Sequence, residues 1–184
     1  MRSSVAAVHG LVSAIAAADD LEAEHQASTL AWLSATDDVF RRVKPVTPPR
    51  HLVSYVLPVD PSDGALLLVA HRNAGLWLPP GGHVEPDEHP ALTAGRELNE
   101  ELGVTADAVA PAPAFLTVTR TVGADAGHTD VSLWFVATIG RDAPLAPDAR
   151  EFADVRWWTR AELAAADPAE FDPHLGRFLS KIGS

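Results

Sequence analysis

The stretch WLPPGGHVEPDEHPALTAGRELNEELGV, residues 77–104, decides the fold. Pro79-Pro80-Gly81-Gly82 reads as a rigid turn. His89 to Leu102 reads as a helix, with Pro90 suited to its first turn and Ala91, Leu92, Leu98 and Leu102 giving it a buried side. Gly103 falls where a left-handed cap would end it. Positions three and four apart share a helix face, so Glu97, Glu100 and Glu101 converge. Like charges so placed cost helix stability and call for a compensating cation, and hard carboxylate oxygens suit Mg²⁺ or Mn²⁺.

Most charge runs are a solvated face, and that reading explains glutamates. It does not explain Gly82 and Gly103 at fixed offsets from them. The seven fixed residue types would match at a given position with a chance on the order of 10⁻⁹ at average composition. The pattern Gly82, Glu88, Arg96-Glu97-Leu98, Glu100-Glu101, Gly103-Val104 resembles the signature of the Nudix (MutT-like) hydrolases at every position. The lead-in from Trp77 to Glu85 is also similar, with Pro79-Pro80 where a single proline is more usual. The surrounding pattern extends the likeness over roughly residues 50 to 165.

The resemblance implies a mixed sheet sandwiched between helices, an α/β/α arrangement, preceded here by an N-terminal helical extension. It implies metal ligation by Glu97, Glu100 and Glu101, joined by the carbonyl of Gly81, with Mg²⁺ or Mn²⁺ as cofactor. Glu97 is also the candidate general base. Arg96 corresponds to an arginine that orients a helix glutamate, a task its planar fork suits. Glu88 corresponds to a supporting partner. Relatives often add an acid from a later loop; Glu151 is the candidate, against the alternative of an ordinary exposed loop glutamate. His128 and Asp130 stand at a strand entry, either reaching the site or serving the turn backbone. His83 is read as structural or as facing substrate, and Trp77 as core or as a base-stacking platform.

With 184 residues and 47% apolar composition, the chain can bury a core. The absence of cysteine removes disulfides, thiolate zinc sites and cysteine nucleophiles together, and fits a reducing cytoplasm. A net charge of −11 disfavours nucleic acid and anionic membranes as partners, although metal ions can still neutralise a bound phosphate. No apolar run spans a bilayer, and the N-terminal apolar residues are broken by His9, Ser13 and Asp19-Asp20, unlike a cleaved signal peptide.

Residues 1–44 form the predicted helical extension and 45–184 the predicted hydrolase domain. Val5, Val8, Leu11, Val12 and Ile15 share a helical face, a second helix starts near Asp19-Asp20, and Thr36-Asp37-Asp38 caps a short third piece through Val43. This extension can pack on the core, join a homodimer, or cover a substrate. Lys44 to Pro49 stops any helix. Strands are predicted at His51–Val59, Ala65–His71, Phe115–Val122, Val131–Ile139 and Val155–Trp158, with Trp157 and Trp158 facing opposite sides. Thr159-Arg160-Ala161-Glu162 is a capping box, and Asp172-Pro173 opens a last helix burying Leu175, Phe178 and Leu179.

These readings lead to a metal-dependent pyrophosphohydrolase cleaving a phosphoanhydride in a nucleoside diphosphate-linked small molecule, a nucleoside triphosphate or a related compound. The rival is a Nudix-type regulator that binds such a ligand without turnover. An isomerase of the same fold is set aside because it would need a cysteine. A vestigial site is set aside because the glutamates are complete.

Overall fold

The period-two stretches assemble into a mixed sheet with β1 (Arg50–Val59) at its centre. The computed structural model describes residues 2–44, 46–105, 109–121 and 127–183. The loop predicted between the two strands after Phe115 lies largely outside them. β2 is Leu66–His71, β3 Leu76–Leu78 and β4 Gly81–His83. β5 is Phe115–Arg120, β6 Thr129–Thr138 and β7 Phe152–Trp158. β1 runs parallel to β6 along its whole length, from Arg50↔Thr129 to Val59↔Thr138. Its other edge is shared between β4 (Val53↔His83) and β2 (Val59↔Leu66), both antiparallel. β2 also pairs β3 and β7, and β5 pairs β6 at the opposite end.

Alternation sends successive residues to opposite faces, and both faces are apolar. Leu52, Val56, Leu133 and Phe135 join one buried cluster; Leu57 and Trp134 join the other. Trp157 packs on the first and Trp158 on the second, as the adjacent positions predicted. α3 (Pro90–Leu102) covers the first face through Ala94, Leu98 and Leu102. α5 (Leu175–Ile182), reached through α4 (Arg160–Ala165) and its Thr159–Glu162 capping box, covers the second through Leu175 and Phe178. Helices therefore sandwich the sheet, as the resemblance implied.

The N-terminal helices α1 (Ser3–Ser13) and α2 (Asp20–Ala35) bury Val5, Val8, Val12 and Leu33 in the first cluster. α2 also lines the sheet edge. The outward N–H groups of β5 would otherwise be an open template for pairing. Leu116 N–H donates to Glu22 Oε1 at 3.2 Å and Val118 N–H to His25 Nδ1 at 3.2 Å. Glu22 is fully buried, and Lys181 of α5 donates to it at 2.7 Å.

Three local expectations are corrected. No helix runs from Thr36 to Val43. The Thr36 hydroxyl takes the Asp38 N–H at 3.0 Å, a local bond that competes with helix, and Leu52 N–H docks on the Val39 carbonyl at 2.9 Å. Gly81 and Gly82 are strand β4, not a turn. A Cβ on Gly81, where φ is +152°, would stand 2.2 Å from the Ser54 carbonyl oxygen, so glycine is what lets β4 lie this close to β1. Leu92 is 67% exposed. Six residues separate it from Leu98, about 240° around the helix, which takes it off the buried stripe.

Candidate active site

The C-terminal half of α3 presents its carboxylates to β4. The helix is capped by His89, whose Nδ1 accepts the Ala91 N–H, and ends at Gly103 with φ +70°. Its last carbonyls are taken by a later loop: Ala146 N–H donates to Leu102 O at 2.8 Å and Asp148 N–H to Glu101 O at 3.0 Å. Those bonds satisfy helix-end acceptors. They also bring Glu151 beside the signature glutamates, although it is some fifty residues away in sequence.

Glu101 is 6% exposed, and its Oε2 accepts the Gly81 N–H at 2.9 Å. Glu97 lies over Gly82 so tightly that a Cβ there would fall 2.3 Å from Glu97 Oε1. Burial, then the charge of Glu97, then those of Glu151 and Glu100, push the Glu101 carboxyl up to about 9, against the pull of the Gly81 N–H. Burial also raises Glu97, with Glu100 and Glu151 adding to it and Arg96 opposing. Glu151 is held below its usual range first by His71, whose Nε2 lies 3.5 Å from Glu151 Oε1.

Arg96 organises the other side of the cluster. Its guanidinium donates to Glu88 Oε1 and Oε2 at 3.1 and 3.0 Å, to Glu97 Oε1 at 2.8 Å and to Glu100 Oε2 at 3.1 Å. A further N–H reaches the His83 carbonyl at 3.3 Å. Burial would raise Glu88, but Arg96 and the Thr93 hydroxyl, which donates at 2.7 Å, leave it below its usual value. One fork thus fixes a supporting carboxylate, two cluster carboxylates and the end of β4.

The structure therefore brings Glu97, Glu100, Glu101 and Glu151 together, with Arg96 and Glu88 behind them. Gly81 meets Glu101 through its N–H. This donor set fits a hard divalent cation: oxygen-only, net negative and partly open, since the Glu100 side chain is 59% exposed and Glu151 47%.

His83, His128 and Asp130 do not join the carboxylates; they gather with His51, which sequence reasoning overlooked. Burial first, then the positive charges of Arg41 and of the neighbouring histidines, pull His83 down to about 2. Trp77 packs edge-on against Trp158 with ring centres 5.2 Å apart, and it lines an open cleft of about 560 Å³ with His71 and Leu76.

Comparison with known proteins places these features in a family. The NUDIX domain family matches residues 49–181, and the chain belongs to that family. A Rhodococcus erythropolis protein described as an uncharacterized Nudix hydrolase is 38% identical over 90 residues, 46% of this chain and 46% of that protein. The chain spans less than half the length of the curated relatives it matches. Among solved structures, the NUDIX domain of Shewanella oneidensis NrtR, complexed with ADP ribose, superposes with a TM-score of 0.56 at 20% identity. That match covers 71% of this chain and 84% of the other. A Caenorhabditis elegans Ap4A hydrolase binary complex gives 0.56 at 17% identity, covering 72% and 94%. At these identities the solved structures speak for the fold.

Proposed function

We propose that the chain is a pyrophosphohydrolase that cleaves a phosphoanhydride in a nucleoside diphosphate-linked substrate, a nucleoside triphosphate or related small molecule, with Mg²⁺ or Mn²⁺. The observation that carries this is Glu101: a buried carboxylate that accepts one backbone N–H and faces the charges of Glu97, Glu100 and Glu151. Burial and those neighbouring charges disfavour its ionised form, and a bound dication would offset both.

Glu97, Glu100, Glu101 and Glu151 would hold the ions, with the Gly81 backbone alongside. Bound dications neutralise phosphate charge and acidify water. Glu97 is assigned as the general base, held in place by Arg96 and by the absence of a side chain on Gly82. Glu88 fixes Arg96 and so acts through it. The cleft beside His71 and Trp77 is where the nucleoside part would lie, because His71 also contacts Glu151. The helical extension over residues 1–44 supports the hydrolase domain by covering the edge of β5.

The test is a panel of nucleoside triphosphates, dinucleoside polyphosphates and nucleotide-sugar diphosphates, assayed with Mg²⁺ or Mn²⁺ and followed by phosphate or nucleotide release. Turnover of at least one compound, absent with chelator, is the expected result. Binding of such a compound without turnover by the metal-loaded protein would favour a regulator; the NrtR NUDIX domain, solved in complex with ADP ribose, shows that a domain of this fold holds such a compound.

A further inference from the structure

We propose that His51, His83, His128 and Asp130 form a second metal site that takes Zn²⁺ with four protein ligands, distinct from the glutamate cluster. Sheet register builds it. His51 pairs with Asp130 across β1 and β6, and Val53 pairs with His83 across β1 and β4. Residues 51 and 53 share a face of β1, so their partners project to the same side, and His128 lies two residues before Asp130 on that side. Three chain segments thus bring four donors to one end of the sheet.

The distances approach those of a coordination shell. Asp130 Oδ1 lies 3.3 Å from His51 Nε2, 3.3 Å from His128 Nε2 and 3.9 Å from His83 Nε2. All four donor atoms fall within 4.8 Å of one another. Tetrahedral zinc with bonds of about 2.0–2.1 Å sets its ligands roughly 3.3–3.4 Å apart, so the two contacts at 3.3 Å already match and the wider separations, up to 4.8 Å, would close by side-chain movement as the ion binds.

Hydrogen bonding does not account for these contacts. His51 is fully buried, yet its Nε2 has no hydrogen-bond partner; nor have His83 Nε2 and Asp130 Oδ1. Buried polar atoms are almost always satisfied, so three unpartnered atoms within 4.8 Å of one another mark a place a ligand would suit. The ring orientations agree with this. His51 Nδ1 lies 2.7 Å from the Pro48 carbonyl, which requires a proton on Nδ1 and directs Nε2 inward. His128 Nδ1 lies 3.2 Å from the Thr121 hydroxyl, with Nε2 again toward Asp130. Imidazoles held from behind by a carbonyl or hydroxyl are typical of metal-ligating histidines. Three imidazoles and one carboxylate select a borderline transition ion over Mg²⁺, and four protein ligands leave no open position, as in a structural site. The ion would clamp β4, whose glycines contact Glu97 and Glu101, to β1 and β6.

The experiment uses the full chain, stripped of metal and titrated with Zn²⁺ against a chromogenic chelator, with Co²⁺ absorption as a second readout. One Zn²⁺ per chain and the intense visible bands of four-coordinate Co²⁺ are expected, both retained in the Glu97→Gln/Glu101→Gln double variant. His51→Ala should abolish both. Should it fail to fold, His83→Gln and Asp130→Asn, at the more exposed side of the cluster, should each weaken Zn²⁺ by more than the about 10–100-fold that loss of an outer-shell partner costs. Absence of uptake by the wild-type chain would overturn the proposal. So would uptake that disappears with the glutamates and survives the histidine and aspartate changes.

Discussion

The carboxylates of α3 and the histidines at the entrance of β1 and β6 sit on either side of one short strand, β4, and they solve opposite problems. The carboxylates range from the buried Glu101 to Glu100, whose side chain is 59% exposed, and Arg96 ties down Glu97 and Glu100 from one side. The histidine cluster is nearly closed and holds donor atoms with no partner. An open anionic site can exchange a cation together with a charged substrate. A closed site of imidazoles would keep its ion and work through rigidity. The contrast teaches that burial alone does not define a candidate metal site; what matters is which side of each donor is already held.

The largest effect expected from breaking this arrangement is at Glu101. Glu101→Gln should lower kcat by about 10²–10³-fold with an unchanged far-UV CD spectrum, since it removes one proposed ligand oxygen and little volume. Turnover near the wild-type rate would show that the carboxylates are not the reacting centre. Gly82→Ala comes next. Its Cβ would overlap the Glu97 carboxylate, and a displacement of that size should cost about 10²-fold in kcat/KM, with the thermal midpoint lowered. Arg96→Lys keeps the charge but loses the fork that spans Glu88, Glu97 and Glu100; a loss of about 10-fold in kcat, measured at saturating metal, is expected.

Asp172 sharpens the comparison from outside both sites. It is 8% exposed, and burial raises its carboxyl to about 6, opposed by the His174 N–H. Its folded value exceeds its unfolded one, so the folded state binds more protons in between. Its contribution to stability is greatest below the ordinary aspartate value and is lost as pH rises through about 6. Asp172→Asn keeps an acceptor for His174 and should stabilise the protein by roughly 1 kcal/mol at pH 7.5 while leaving pH 4 almost unchanged. Urea titrations at the two pH values measure the difference. Equal effects at both would show that ionisation is not the cause.

How much of this was legible in the sequence follows from where each contact originates. The α3 glutamates and Gly103 lie within one helix and its cap, so 3.6-residue spacing places them. The Thr159–Glu162 box is equally local. Glu151 was a loop candidate only through resemblance. Its position depends on Ala146 and Asp148 bonding to the end of α3, contacts with no spacing rule. His51, His83 and His128 are each a lone histidine on its own segment, and only the β1–β6 and β1–β4 registers unite them. Leu92 shows the reverse failure, an apolar residue read as buried that the helix turns outward.

The central claim is that the glutamates of α3 hold a divalent cation. Mn²⁺ binding followed by electron paramagnetic resonance, in protein first given one equivalent of Zn²⁺ per chain, tests it most directly. Saturable Mn²⁺ uptake that weakens at least 10-fold in Glu97→Gln/Glu101→Gln is the result the account predicts; equal Mn²⁺ affinity in the wild type and the double variant would contradict it.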